Sequence, residues 1–140
     1  MRANHRAIES YGQVKVSTGV SKASSVELIQ MLFDGLIESM SAAKGHIQHN
    51  NIAEKSKAIT RASRIVPGLQ GALDFEKGGE LAKHLDELYN YVTRRLLHVN
   101  ARNDLEALEE IYGLMIEIRS AWESVPELIP RSQQTSMAVN

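Results

Sequence analysis

The chain has 140 residues, of which 43% are hydrophobic and 24% are charged, enough to build one core and to solvate its surface. Lysine and arginine total 16 against 17 aspartate and glutamate residues, a formal net charge of −1 that gives no general attraction for nucleic acid. The absence of cysteine excludes disulfide bonds, thiolate metal sites and a cysteine nucleophile. The amino terminus resembles no signal peptide, and every apolar run is far shorter than the roughly 20 residues that span a bilayer. We therefore expect a cytoplasmic protein without membrane insertion.

Two amphipathic helices are predicted in the first half of the chain. The first begins near Ser24, where Ser24 and Glu27 have the spacing of a capping box. Its apolar stripe, at steps of three and four, consists of Val26, Ile29, Phe33, Leu36, Met40, Ala43 and Ile47. Asn51 and Glu54 repeat the capping pattern before a second stripe of Ile59, Ala62, Val66, Leu69 and Leu73. Proline at position 67, followed by a glycine, predicts a kink or a break in this helix.

Two further helices are predicted in the second half. The glycine pair at positions 78 and 79 predicts a loop, and a third stripe of Leu81, Leu85, Leu88, Val92, Leu96 and Val99 then runs to a helix end near Asn100. Asn103, followed by acidic residues, predicts the amino-terminal cap of a fourth helix. Its stripe consists of Leu105, Leu108, Ile111, Met115, Ile118 and Trp122, and Pro126 and Pro130 close it.

Four such helices joined by short turns predict an all-α fold, an antiparallel four-helix bundle. No segment shows the sustained alternation of a β-strand. We expect three parts: a flexible leader over residues 1–22, the bundle over residues 23–126, and a disordered tail over residues 127–140, because the two ends are poor in apolar periodicity.

The sequence lacks the residue patterns of a metal centre or an active site. Di-iron bundles use a Glu-x-x-His motif, and no histidine here has glutamate three residues before it. His46 and His49 fall at a predicted helix carboxyl terminus, where imidazolium favours the helix dipole. His84 is the best candidate for a phosphotransfer histidine, but acidic residues follow it at positions 86 and 87. We expect no cofactor, no metal and no catalysis, and a histidine phosphotransfer bundle stays the alternative.

The fourth helix has a wider apolar surface than one core contact requires. At 100° per residue, Ile111, Met115 and Trp122 mark the centre of the face towards the core. Leu114, Ile118, Ala121 and Val125 lie to one side of that centre, and Ile116 widens the arc on the other side. Either the helix is wedged between two neighbours, or the bundle exposes an apolar groove that a partner helix can fill.

Several segments resemble the flagellin export chaperone family, often called FliS. They are Tyr11-x-x-Val14, then the segment from Leu28 to Gly35, then the segment from Leu73 to Ala82, then a series of matches from Leu85 to Asp104, and finally Ala121-Trp122. The likeness runs from about residue 11 to residue 125 in one order, which makes it more specific than any single motif.

The resemblance implies a chaperone that binds the disordered carboxyl-terminal region of flagellin, prevents its premature polymerisation and delivers it to the flagellar type III export gate. It implies a monomer, with a weak homodimer as the alternative, and a chaperone for another secreted helical substrate also stays open. We expect the partner-binding residues to be Tyr11, Val14, Leu73, Leu81, Leu114, Ile118, Ala121 and Val125. The leader that carries Tyr11 and Val14 is either a lid on the groove or a direct cargo contact.

Overall fold

A computed structural model describes residues 25–124, with side chains for residues 26–123. Four helices make up this part of the chain: α1 (Ser25–Gln48), α2 (Ile52–Gly71), α3 (Phe75–Arg102) and α4 (Leu105–Ser124). The described residues contain no strand, which confirms the all-α prediction. The predicted leader, residues 1–22, and the predicted tail, residues 127–140, lie outside the described residues.

The helices form an antiparallel bundle in which each helix packs against two neighbours. The neighbouring pairs are α1 with α2, α2 with α3, α3 with α4, and α4 with α1. Two ion pairs fix the direction of the last pair: Asp34 contacts Arg119, and Lys44 contacts Glu109. From the first pair to the second, the residue number rises by ten on α1 and falls by ten on α4, so these two helices run in opposite directions. The predicted four-helix bundle is therefore confirmed, with α2 and α4 diagonal to each other.

The core lies along the common axis of the bundle and is built from the predicted stripes. The largest fully buried side chains include Phe33, Leu36, Met40, Leu69, Leu96, Ile111 and Met115. The prediction is least accurate near the start of α3, where Leu81 is 47% exposed and Ala82 is buried instead. Tyr89, which the third stripe omitted, is only 1% exposed. Helix α3 is thus rotated, relative to the prediction, in its first half.

Helix α2 continues through Pro67, so of the predicted kink or break the break is wrong. Proline removes one backbone hydrogen bond and crowds the preceding turn. Val66 and Leu69, on either side, are buried in the core, and their packing keeps the helix in place. Asn51 occupies the amino-terminal cap position as predicted, but its side chain makes no capping hydrogen bond. Ser24, the predicted cap of α1, lies outside the described residues.

The glycine pair interrupts helical geometry as predicted, but the interruption is a kink within α3 and not the predicted loop between two helices. The true connection is the three-residue segment 72–74, and Asp74 caps α3 by accepting hydrogen bonds from the backbone N–H groups of Glu76 and Lys77 at 3.1 and 3.0 Å. The helix then kinks at Gly79, whose φ of 49° and ψ of −125° are not helical. Only glycine adopts this conformation without strain. The glycines therefore redirect the helix after its first turn and do not end it.

The corner between α3 and α4 uses two adjacent caps. Asn103, predicted to start α4, instead ends α3 in the left-handed conformation with φ 55°, which asparagine tolerates better than most residues. Asp104 starts α4, because its Oδ1 accepts a hydrogen bond from the N–H of Ala107 at 3.1 Å. Its Oδ2 lies 2.8 Å from His98 Nε2. Asn103 therefore ends α3 and the next residue, Asp104, starts α4, so the turn is short and the two helices stay antiparallel.

A buried lysine holds the start of α2 against the end of α3. Lys55 is 3% exposed, and its Nζ donates a hydrogen bond to the carbonyl oxygen of Asn100 at 2.7 Å. Ser56 Oγ reaches Asn100 Oδ1 at 3.2 Å. The cation lies at the carboxyl-terminal end of α3, where the helix dipole favours positive charge. This contact was not predictable from the sequence, because Lys55 is 45 residues from its acceptor.

Candidate partner-binding site

Apolar side chains that the core covers only in part collect between α3 and α4. We call this surface the α3–α4 seam and define it as Leu81, Leu85 and Leu88 on α3 with Leu114, Ile118 and Ala121 on α4. Leu81 is 47% exposed, and the other five side chains are half-buried. An apolar strip of this kind, open to solvent along one side of a bundle, is typical of a surface that receives an amphipathic helix.

The helical repeat places the two halves of the seam opposite each other. Tyr91 on α3 and Glu110 on α4 mark the facing sides, because the Tyr91 hydroxyl donates a hydrogen bond to Glu110 Oε1 at 2.5 Å. Leu88 and Leu81 precede Tyr91 by three and ten residues, so they share its side of α3. Leu114, Ile118 and Ala121 follow Glu110 by four, eight and eleven residues and share its side of α4. The antiparallel arrangement then brings Leu81 to the level of Ala121.

A polar cluster closes the end of the seam nearest the α3–α4 corner. Arg95 Nε lies 3.7 Å from Glu110 Oε1, and the guanidinium of Arg94 lies 6.0 Å from the centre of the Tyr91 ring. The hydrogen bond to Glu110 raises the pKa of Tyr91 above its ordinary value, and partial burial adds to this effect. Tyr91 therefore stays neutral and holds the two helices together at this end. The seam is apolar only from Leu88 towards the start of α3.

Tyr89 and Trp122 pack together on the core side of the seam. Both are buried, at 1% and 6% exposure. Burial raises the pKa of Tyr89 well above its ordinary value, and the nearby Trp122 indole opposes this rise in part. The Trp122 Nε1 is nevertheless buried without a hydrogen bond of acceptable geometry. Because the chain has one tryptophan, its fluorescence reports on this single location.

The structure brings four of the eight predicted partner-binding residues together. Leu81, Leu114, Ile118 and Ala121 all lie in the α3–α4 seam. Leu73 lies in the α2–α3 connection and is half-buried against the core, so it borders the seam only by its place at that end of the bundle. Tyr11, Val14 and Val125 lie outside the described residues. All eight assignments stay predictions until binding is measured.

The predicted site omitted Leu85, Leu88 and Phe75. Leu85 and Leu88 had been placed in the third core stripe, and the structure leaves both half-buried. Phe75 is 41% exposed at the start of α3. The helical period alone could have found Leu88, because it shares a face with Leu81. Phe75 was not predictable in this way, because the loop expected at the glycine pair left no helix start at position 75.

A second groove lies between α1 and α4. It has a volume of about 670 Å³ and is lined by Asp34, Ile37, Glu38, Ser41, Ala42, Tyr112, Ile116 and Arg119. Arg119 crosses one side of it, with Nε at 2.7 Å from Asp34 Oδ1 and Nη1 at 2.8 Å from Glu123 Oε1. Ile116 is 38% exposed at its edge, so the two apolar flanks of α4 belong to two different surfaces.

The histidines show no arrangement for metal binding or phosphotransfer in the part of the chain that is described. His46 lies in the last turn of α1, as predicted. His84 is an exposed side chain whose Nε2 lies 3.8 Å from Glu80 Oε2, an acidic neighbour that disfavours a phosphoryl group. Within residues 25–124, no group of three or more potential ligands surrounds a possible metal position. None of the helices in this range is long and apolar enough to span a membrane.

Comparison with known proteins gives a consistent assignment. Residues 7–128 match the family model described as flagellar protein FliS. The chain is 43% identical to the flagellar secretion chaperone FliS of Salmonella typhimurium, over 84% of this chain and 88% of the relative. It is 40% identical to the flagellar secretion chaperone FliSB of Pseudomonas aeruginosa, over 86% of this chain and 95% of the relative, and 33% identical to FliS of Vibrio cholerae, over 86% and 88%. Together with the helical bundle, these matches show that the chain belongs to the flagellar protein FliS family.

Proposed function

We propose that this protein is a cytoplasmic export chaperone that binds the disordered carboxyl-terminal region of flagellin as an amphipathic helix in the α3–α4 seam. The observation that carries the proposal is the seam itself: six apolar side chains on two facing helices, incompletely covered by the core. Family membership supports a role in flagellar secretion. Binding the apolar carboxyl-terminal region of flagellin lowers the concentration of flagellin in which this region is free, and thereby opposes premature polymerisation.

The size of the seam fits a bound helix. Full burial of an exposed leucine or isoleucine contributes about 1.5–3 kcal/mol; Leu81, at 47% exposure, has roughly half of that left to gain, and each of the other five has at most about a third. Six such side chains therefore supply several kcal/mol, which must also cover the ordering of the cargo. The expected complex is one-to-one, stabilised by apolar burial, and accompanied by a gain of helix in the cargo and a negative heat-capacity change.

The α1–α4 groove is a less favourable cargo site. Its lining includes Asp34, Glu38 and Arg119, and Arg119 already pairs with Asp34 at 2.7 Å. An apolar helix in this groove would remove these charges from water, and the cost of doing so can exceed the gain from their pairing. The six defining residues of the seam include no charged side chain. Apolar cargo therefore favours the seam.

Substitutions on the two flanks of α4 test this choice. We expect the double variant Leu114→Glu with Ile118→Glu to weaken binding of a flagellin carboxyl-terminal peptide by at least tenfold, measured by isothermal titration. Ile116→Glu is the control, because it places one glutamate on the same helix, against two in the double variant, but faces the α1–α4 groove. It should bind the peptide like the unchanged chain. If the control loses binding and the double variant keeps it, with both helical by circular dichroism, the cargo lies in the other groove.

The role of the leader is a separate part of the proposal. Tyr11 and Val14 supply apolar side chains, and Gly12 and Gly19 permit an adaptable backbone. As a lid, the leader lowers the apparent affinity by the fraction of time that it covers the seam. A chain that starts near Ser21 should then remain helical and bind the peptide at least as tightly as the full chain. Much weaker binding by this well-folded truncation would make Tyr11 and Val14 direct cargo contacts.

Delivery to the flagellar type III export gate completes the proposed function. The chaperone needs no chemical step for this, because mass action and transfer of the cargo suffice. We infer that the loaded protein is a one-to-one complex of monomers that docks on the gate. Copurification of the gate's cytoplasmic domain with the chaperone–peptide complex, and not with the Leu114→Glu and Ile118→Glu variant, tests this step.

A further inference from the structure

The outer face of α2 carries a concentration of positive charge. This helix contains four lysine and arginine residues and one acidic residue, Glu54. Helix α4, diagonal to it across the bundle, contains five glutamates and one arginine. The net charge of −1 is therefore the sum over two oppositely charged sides of the bundle. The local charge of one side, and not the net charge of the chain, steers an approaching charged partner.

Three of the α2 cations form one exposed stripe. Lys57, Arg61 and Arg64 follow the spacing i, i+4 and i+7, which places them on one face of the helix over about 10 Å of its length. All three are exposed. They line a shallow groove of about 430 Å³ together with Ser56 and Thr60. We call these five residues the α2 basic groove; every side chain in it is either a cation or a hydroxyl.

Existing ion pairs leave these cations available. Lys57 Nζ lies 3.2 Å from Glu54 Oε1, and Arg61 Nη1 lies 3.7 Å from Glu38 Oε1 on α1. All four of these side chains are more than half exposed, and such pairs contribute little stability in water. Arg64 has no ion-pair partner among the described residues. A partner's carboxylate can therefore replace the weak pairs at little cost and also pair with Arg64.

We propose that the α2 basic groove binds an acidic segment of a second protein partner. A helix with carboxylates at i, i+4 and i+7 matches the three cations along their length, and an arginine fork can hold a carboxylate through two hydrogen bonds. The groove offers no apolar anchor, so charge and hydrogen bonding supply its specificity. A long polyanion such as RNA fits less well, because it would extend past this short stripe over a bundle that is slightly acidic overall.

The groove and the α3–α4 seam lie on different sides of the bundle. Lys57, Arg61 and Arg64 are exposed on a helix that takes no part in the seam, so an acidic partner and an apolar cargo helix do not compete. We therefore expect both to bind at once. Only this last expectation rests on the proposed cargo function; binding of the acidic segment does not.

Fluorescence anisotropy of a labelled peptide tests the proposal on the full chain. The probe is an alanine-based helical peptide with glutamate at i, i+4 and i+7, and its control carries glutamine at the same positions. The glutamate peptide should bind in low salt, the glutamine peptide should not, and added NaCl should weaken binding strongly. Lys57→Gln, Arg61→Gln and Arg64→Gln combined should weaken binding about tenfold, which corresponds to about 1.4 kcal/mol.

The matched control removes the same charge from another helix. Lys77→Gln, Lys83→Gln and Arg102→Gln neutralise three exposed cations of α3, and this variant should bind the glutamate peptide like the unchanged chain. An equal loss in both triple variants would mean attraction to net charge alone and would overturn the proposal. The proposal would also be overturned if a single-stranded RNA bound more tightly than the glutamate peptide and lost binding in the α2 triple variant. A dimer seen by sedimentation in low salt, and abolished only by the α2 triple variant, would overturn it too. Adding the flagellin peptide should leave the glutamate peptide bound. If the flagellin peptide does not bind the chain at all, that result would count against the proposed seam and not against the α2 basic groove.

Discussion

Gly79 provides the most specific test of the structure, because an identical substitution at two other glycines should have the opposite effect. We expect Gly79→Ala to destabilise the protein. The φ of 49° and ψ of −125° at this position are strained for any residue with a Cβ atom, and such a conformation costs about 1–3 kcal/mol. No atom lies within 4 Å of a Cβ built at this position. The whole cost therefore comes from the backbone and not from a clash.

Gly45→Ala in α1 and Gly113→Ala in α4 are the controls. An added Cβ meets nothing within 4 Å at either position, and neither has a positive φ. Alanine in a helix interior is about 0.5–1 kcal/mol more favourable than glycine. Both controls should therefore unfold at a higher urea concentration than the unchanged chain. The three variants share one chemical change, so a general effect of alanine cannot explain the opposite sign.

Urea unfolding followed by far-ultraviolet circular dichroism measures the effect. For a described region of about 100 residues, each kcal/mol also moves the melting temperature by about 4–8 °C. A Gly79→Ala protein as stable as the Gly113→Ala protein would refute the kink, since a regular helix at Gly79 predicts stabilisation.

Three other predictions concern the corners of the bundle and the absence of a cofactor. Hydrogen bonds from His98 and from the backbone N–H of Ala107 hold the pKa of Asp104 below its ordinary value, so its ionised form contributes stability above about pH 4 that is lost as pH falls through the lowered pKa. The stability difference between the unchanged chain and Asp104→Asn, from urea unfolding at several pH values, should therefore be largest near neutral pH and shrink below about pH 4. Lys55→Met should cost about 1–3 kcal/mol, because it removes a charged hydrogen bond from a buried side chain to the partly buried Asn100 carbonyl, whereas Lys57→Met at an exposed position should change the urea midpoint little. A strong chelator should leave the helical circular dichroism unchanged, and a loss of helix would reveal a metal that contributes to folding.

The α3–α4 seam was only partly predictable from the sequence. The width of the apolar arc on α4 marked Leu114, Ile118 and Ala121 as lying beside the core face, because a helix period depends on the sequence alone, and the structure leaves all three half-buried. The same reasoning assigned Leu85 and Leu88 to the core. Which flank of a helix is covered depends on how close its neighbours approach, and a single helix carries no information about that distance.

The helix ends show the same division. Asn51 and Asp74 stand at or near helix starts, and their residue types favour such positions. Whether a side chain forms the capping bond depends on local geometry, so Asp74 makes two hydrogen bonds and Asn51 makes none. Asn103 was assigned to the wrong helix, because asparagine favours an amino-terminal cap and a left-handed carboxyl-terminal cap alike. The choice between them follows from where α3 stops.

The sequence by itself determined the number of helices, the apolar face of each over most of its length and the all-α bundle, and these properties follow from periodicity and composition, which are local. The resemblance to the FliS family was also visible in the sequence, but it rests on matching segments in a fixed order. Only the tertiary structure decided that α2 passes through Pro67, that α3 continues past the glycine pair by a kink, and that Lys55 reaches Asn100 from 45 residues away. It also decided that Ile116 lines the groove between α1 and α4, whereas Leu114 and Ile118 on the other flank pack against the core. Each of these depends on packing between segments distant in the chain, whose energy outweighs the local preference for a loop, a break or a solvated charge.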